Sequence, residues 1–515
     1  MYSYHIFYFL FKWKTPKGRS LLFEDQTDIE NIVENNYSNW ERVYSSEKLD
    51  EDEKQDLYNE KNFFYEFVHP VLYDTGKPGS LLKHYERKEP QQKDREVSYI
   101  ISCNGKTYTL KIDAINLNLY TTGVGMMTFF LINEREDQKE PMDILTINQC
   151  GRRIYPPFYK DIKEKWETAN YLKIEGLNGD SSLCYEDFSG YSYKEKGNDN
   201  EQIKETYWTP ASFIRNLISD LSEELIITPV IDDRMFVNCW YENDDLSKLI
   251  GTDEDSLEKF FLDEYGIDSE GRKIKKSDDF WYKYIYVDAS RPSCQNNDMR
   301  LKLLNEQTYK RWQQDGFLYG ASRYSFVFLT KNDKRRFQRD VLAKYMRTVY
   351  ARMVELVLIQ RASILQFSEK ISQMELSKGT KVSATINEQI TSLHKEYIRF
   401  VNQIHFREVT IQDQGIELYQ LISKTLNIEE YVEDLEKEIE ELQQYVSMVD
   451  DRIRNKNGDI LNWIAALFLP AGVAAELLGN TLNKDISLPV WKILSIILIV
   501  MVGMYGILQL IKKSR

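Results

Sequence analysis

Ile460-Leu461-Asn462-Trp463-Ile464-Ala465-Ala466-Leu467-Phe468-Leu469-Pro470-Ala471-Gly472-Val473-Ala474-Ala475-Glu476-Leu477-Leu478 is an almost unbroken apolar run holding one carboxylate. About twenty such residues suffice for a helix to cross a bilayer. A carboxylate within such a helix costs roughly 2.5–3.5 kcal/mol on insertion scales, so it faces a partner or water rather than lipid. A second apolar run extends from about Val490 to Ile511. The expectation is therefore a membrane protein with two C-terminal transmembrane helices.

Charge flanking these runs gives the expected orientation. Arg452, Arg454 and Lys456 precede the first, and Lys512, Lys513 and Arg515 close the second. The connection Gly479 to Pro489 holds only Lys484. Basic residues stay on the cytoplasmic side, which places both termini there, in a multi-pass protein of the inner membrane. Two spans per chain cannot enclose a pore, so conduction requires a symmetric homo-oligomer. Leu461, Ala465, Leu469, Gly472 and Glu476 share one helical face, and a ring of Glu476 carboxylates would favour cations. The alternative is that Glu476 snorkels to the interface.

Ahead of the apolar runs, Ile428, Val432, Leu435, Ile439, Leu442, Val446, Val449 and Ile453 repeat at spacings of four and three among many glutamates. That is a coiled-coil seam with an acidic outer face. It lies within a long, nearly glycine-free helical region, 333–458, predicted to form a stalk that continues into the membrane domain, 459–515.

Residues 1–332 read as an α+β domain with a mixed sheet. Tyr2 to Phe9 is an aromatic-rich strand, and Val97 to Leu110 alternates around Asn104-Gly105, a hairpin signal. Ile115 to Tyr120, Met126 to Ile132, Leu225 to Val230, Met235 to Trp240, Tyr282 to Val287 and Tyr324 to Leu329 are further expected strands. Pro210 to Glu224 is expected to be helical, and Lys194 to Gln202 a loop.

The 515 residues leave room for two or three domains. A net charge of −14 argues against direct nucleic-acid binding. Five dispersed cysteines suggest neither a zinc site nor a disulfide framework. The start of the chain lacks a signal peptide's basic region and cleavage site. There is no Walker motif, no Gly-x-Ser-x-Gly and no HExxH, so an enzyme is not expected.

Candidate ligand groups are few. Arg152 and Arg153 follow Gly151, and adjacent guanidiniums can hold a phosphate. Thr121-Thr122-Gly123-Val124-Gly125 offers backbone amides between strands, although a plain turn explains it too. Asp232, Asp233 and Arg234 stand at a strand entrance, with Asn238 and Trp240 beyond. Trp240 either stacks a base or packs the core.

The tail resembles the CorA family of two-span magnesium channels. Phe468-Leu469-Pro470, with Gly479 nine positions after the proline, matches that family's spacing to its Gly-Met-Asn signature. Here the signature reads Gly479-Asn480-Thr481, so the magnesium filter is replaced, and Asn480 and Thr481 become the expected pore mouth. The rest of the chain is similar to CorA-like effectors encoded beside type III CRISPR systems. The similarity lies in Leu119 to Met127, Asn148 to Pro157 and His405 to Tyr419. What this implies is an antiviral membrane effector, pentameric by resemblance. Its cation-permeable channel would be opened by a nucleotide messenger, an adenylated S-adenosylmethionine (SAM-AMP) or else a cyclic oligoadenylate. No other cofactor is implied, and whether a metal binds is left open. The rivals are a magnesium transporter and a non-conducting membrane scaffold.

Overall fold

The structure is a computed structural model. It describes residues 1–14, 39–43, 51–77, 80–92, 95–154, 168–178, 184–188, 211–221, 225–230, 234–263, 277–331, 336–374 and 384–482, together with Trp491, Ser495, Leu498, Ile499 and Val502.

The aromatic start of the chain forms β1 (Ser3–Lys14). After it come β2 (Trp40–Arg42), β3 (Leu82–Arg87), β4 (Ser98–Cys103), β5 (Lys106–Tyr120), β6 (Val124–Asn133) and β7 (Tyr171–Glu175). The remaining strands are β8 (Tyr185–Asp187), β9 (Ile226–Pro229), β10 (Phe236–Glu242), β11 (Thr308–Tyr309), β12 (Leu318–Ala321) and β13 (Ser325–Thr330). They make one mixed sheet, ordered β11-β12-β13-β10-β1-β6-β5-β4-β7-β8, with β3 also on β5, β2 on β3 and β9 on β1. Only β10 and β13 pair in parallel; every other described pair is antiparallel.

Helices used below are α1 (Glu51–Phe63), α2 (Pro141–Gly151), α3 (Phe280–Tyr286), α4 (Val349–Ser372), α5 (Ala384–Gln403), α6 (Asp413–Thr425) and α7 (Ile428–Leu482). Side chains alternate across a strand, and β1 shows why both faces of this sheet are covered. Phe7, Phe9, Phe11 and Trp13 join the core that also holds Ile144 and Ile147 of α2 and Trp281 and Tyr284 of α3. On the opposite face the Tyr8 hydroxyl donates to the carbonyl of Ala351 on α4. A strand buried on both faces reads as continuous apolar sequence, as Ser3 to Trp13 does.

Asn104 and Gly105 both take positive φ, 53° and 76°, which a two-residue hairpin of this type requires. Tyr282 to Val287 is not a strand: Tyr282 to Tyr286 is helical, in α3, and Val287 caps its end in a left-handed conformation. Residues Phe280 to Ile285 are all buried, so no polar face marks the helical period. Cys103 at the end of β4 and Cys150 in α2 form a disulfide, Cα to Cα 6.7 Å, which their spacing of 47 residues conceals. Packing of α2 beside β4 brings them together.

The chain divides into two compact units, Met1–Met374 with Leu393–Glu436, and Glu375–Ser392 with Lys437–Arg515. The coiled-coil seam is buried at Ile428, Val432, Leu435, Ile439, Leu442 and Val446. The expected pair of transmembrane helices is corrected here: among the described residues, no helix is long and apolar enough to cross a membrane. Ile460 to Leu478 is not a separate span but the continuation of α7, a helix of 55 residues that begins in the acidic stalk. Gly479-Asn480-Thr481, expected in a connecting loop, is helical too, because nothing between Ala471 and Leu482 interrupts the backbone hydrogen bonding. Leu461, Ala465, Gly472 and Glu476 are exposed, while Leu469, Asn480 and Thr481 lie on the same helix. Most of the expected second span, 490–511, lies outside the described residues, as does Lys194 to Gln202.

His5 is buried in β1, its ring nitrogens within 2.8 Å of Ser3 Oγ and 2.7 Å of Asn148 Oδ1. Burial lowers its pKa to about 4 against the ordinary 6.5. The unfolded chain takes up the proton first, so stability is complete above pH 6.5 and falls as pH drops from there to about 4. The loss at the acid end is roughly 3 kcal/mol. His5→Asn should flatten that part of a urea-midpoint profile against pH. Parallel profiles for the two proteins would contradict this assignment.

Candidate functional site

Parallel pairing of β10 and β13 sets the entrances of both strands side by side, with Val237 opposite Ser325. Each entrance carries an arginine, Arg234 before β10 and Arg323 before β13. The turn Gly151-Arg152 at the end of α2 reaches the same place, because Met235 N–H donates to the Arg152 carbonyl at 2.7 Å. Arg153 forms an antiparallel bridge with Arg234. From the far side α4 contributes Leu358 and Arg361.

These elements enclose a narrow cleft lined by Arg152, Arg234, Arg323 and Arg361, by Tyr324, and by Leu10, Met235, Phe236 and Leu358. The guanidinium carbons of Arg152 and Arg234 sit 5.4 and 5.1 Å from the centre of the Tyr324 ring, both in cation–π range. Arg152 Nη2 donates to the Val287 carbonyl at 3.3 Å, where a cation meets the negative end of α3. Arg361 Nη1 lies 3.5 Å from the Arg323 carbonyl. Among the described residues lining the cleft there is no carboxylate. Its volume is about 20 Å³, room for a water-sized group rather than a whole nucleotide.

No family model, curated protein or solved structure matches this chain. The chemistry of the cleft has to be read from its own atoms. Guanidinium forks bind phosphate in pairs and stay charged at any physiological pH, so four of them around one opening favour an anion with several oxygens.

Of the residues singled out in the sequence, Arg152 and Arg234 line this cleft, and the Arg153 guanidinium does not. Asp232 and Asp233 lie outside the described residues. Thr121, Thr122 and Gly123 lie elsewhere, in the β5–β6 connection beneath α4, and Gly125 lies at the start of β6. There the Ser363 hydroxyl donates to Thr122 Oγ1 at 3.3 Å. A Cβ on Gly123 would stand 2.9 Å from Gln366 Nε2, and one on Gly125 would stand 2.4 Å from the Phe11 ring. Both glycines answer to packing. Asn238 is buried against the Tyr8 hydroxyl, 3.4 Å away, and Trp240 is buried with its indole N–H donated to Thr330 Oγ1 at 3.0 Å. Trp240 is a core tryptophan with no face left for a base.

Arg323, Tyr324 and Arg361 escaped sequence reading. The available signal was an arginine standing just ahead of each of two apolar strands; only parallel pairing turns that recurrence into a site.

Proposed function

We propose that this chain is an effector switched by a phosphate-bearing nucleotide messenger held at the four-arginine cleft. The observation that supports it is the convergence of Arg152, Arg234, Arg323 and Arg361 on one opening beside the Tyr324 ring. Tyr324 is 36% exposed, enough for one face to stack a base. In line with the CorA-like resemblance, the messenger is SAM-AMP, with a cyclic oligoadenylate second, and the setting is antiviral defence of the type III CRISPR kind.

The output we propose is cation leakage across a bilayer, produced by an assembly of copies. What supports it is the exposed apolar surface of Leu461, Trp491, Leu498, Ile499 and Val502, which needs lipid or another copy to cover it. Calorimetric titration of the full chain with SAM-AMP, cyclic oligoadenylates, AMP and adenosine tests the first step. Phosphate-bearing ligands should bind and adenosine should not; equal binding of adenosine would remove the phosphate from the recognition. Flux of a cation dye from proteoliposomes on adding the bound messenger tests the second step. A silent assay with a bound ligand would leave the sensor and discard the leak.

A further inference from the structure

The arginine cleft opens onto a second, wider groove through two shared residues, Arg323 and Tyr324. The groove measures about 920 Å³, within the range of small-molecule sites, against about 20 Å³ for the cleft. Its charges balance: Arg323, Arg407 and Lys424 line it together with Glu306, Glu429 and Glu430. Glu429 Oε1 lies 3.7 Å from Arg407 Nε and 3.8 Å from His405 Nε2, and Glu430 Oε2 accepts from Asn427 Nδ2 at 3.1 Å. Two aromatic rings also line it. Tyr286 is stacked on Tyr282 with ring centres 4.4 Å apart, and the Tyr419 hydroxyl donates to the Phe406 carbonyl at 2.6 Å. Gln420, Ser423 and Thr425 of α6 add amide and hydroxyl groups. Next to them Asn427 takes a left-handed conformation, φ 55°, at the junction of α6 with α7.

We infer that this groove takes the uncharged body of the ligand, the ribose and base of a nucleotide whose phosphate lies in the cleft. The inference deepens the reading of the cleft as a phosphate site and rests on it. The cleft is too small for a nucleoside, so a nucleotide anchored there extends past Arg323 and Tyr324, and the groove is what lies beyond them. A lining of tyrosine rings, amides and hydroxyls, with as many cations as carboxylates, suits a body that is flat, polar and neutral. A bare phosphate fills the cleft alone. A nucleotide fills both spaces, and its nucleoside lies against the α6–α7 junction at Asn427. The same contact that admits the nucleoside therefore steadies the first turn of α7, which a bare phosphate leaves as it was.

Filling the groove tests the assignment without touching the cleft. Gln420 is exposed and Ser423 half-buried on α6, so Gln420→Trp and Ser423→Trp each place an indole in the groove and leave the four arginines in place. The probes are AMP and inorganic phosphate, titrated into the full chain and followed by their phosphorus resonances. The parent should bind AMP at least tenfold more tightly than phosphate. Either variant should weaken AMP at least tenfold and keep phosphate within twofold of the parent. Hydrogen exchange at Asn427 to Tyr431 should slow with AMP and not with phosphate. AMP held within twofold of the parent by both variants, or equal slowing of exchange by the two probes, would overturn the groove as the nucleoside site and leave the cleft standing. Failure of the parent to bind either probe would overturn the phosphate reading of the cleft, and the groove assignment with it.

Discussion

Arg352→Met is expected to destabilise the sheet-bearing unit by about 3–5 kcal/mol, the usual cost of stranding one partner of a buried ion pair. Arg352 Nη1 donates to Glu355 Oε2 at 2.8 Å within α4, and Arg352 Nε reaches Glu60 Oε1 on α1 at 3.4 Å. The guanidinium also lies 5.7 Å from the centre of the Tyr73 ring, whose hydroxyl donates to Glu60 at 3.0 Å. Glu355 is 1% exposed and its other oxygen has no hydrogen-bond partner among the described residues. Methionine fills much of the volume but leaves the Glu355 carboxylate buried beside no cation. Arg352→Met/Glu355→Leu should recover most of the loss, because the stranded charge goes with it. Chemical denaturation of the three proteins decides the point; a loss under 1 kcal/mol for the single variant would show that water reaches Glu355. α4 also carries Leu358 and Arg361 to the cleft, so loosening it should blunt ligand binding as well.

Arg323→Glu is expected to weaken binding of a phosphate-bearing nucleotide on the order of a hundredfold while leaving the melting temperature unchanged. A hydrogen bond to a charged group contributes roughly 1.5–3 kcal/mol, and each 1.4 kcal/mol is about tenfold in affinity. Reversal adds repulsion to the loss of the donor. Arg323 is exposed at the turn between β12 and β13 and lines both the cleft and the groove, so the substitution touches the ligand rather than the core. Affinity within twofold of the parent would move the phosphate away from this opening. Arg352 differs in its partner: it neutralises the buried Glu355 carboxylate and so acts on stability, whereas the exposed Arg323 is left to recognition.

What the sequence disclosed depended on how local the cause was. The Asn104-Gly105 hairpin was legible because two adjacent residues carry the whole backbone requirement. β1 was legible because an aromatic-rich, nearly continuous apolar run is what a strand buried on both faces shows. α3 was not, since burial on every side erases the difference between strand and helix periods. Ile460 to Leu478 misled for a different reason. Its apolar composition suggested a self-contained span, whereas the structure carries it forward as part of α7. At the site, Arg152 and Arg234 stood out beside turn and strand signals. Arg323 and Arg361 lie in remote segments and become neighbours only through a parallel strand pair and a helix crossing over it. Trp240 shows the converse, an aromatic that suggested stacking and was claimed by the interior.

The central place of β1 has a consequence for how the protein is made. Ser3 pairs with Asn133 on one side and with Tyr241 on the other. At about 5–20 residues per second, a ribosome needs on the order of ten to fifty seconds to supply the second of those partners. Until β6 emerges both edges of Tyr4 to Trp13 are open, and until β10 emerges one of them still is, the kind of segment that recruits stray strands. This central strand thus waits for a partner made more than two hundred residues after it, and cellular yield will depend on what shields it until β10 arrives.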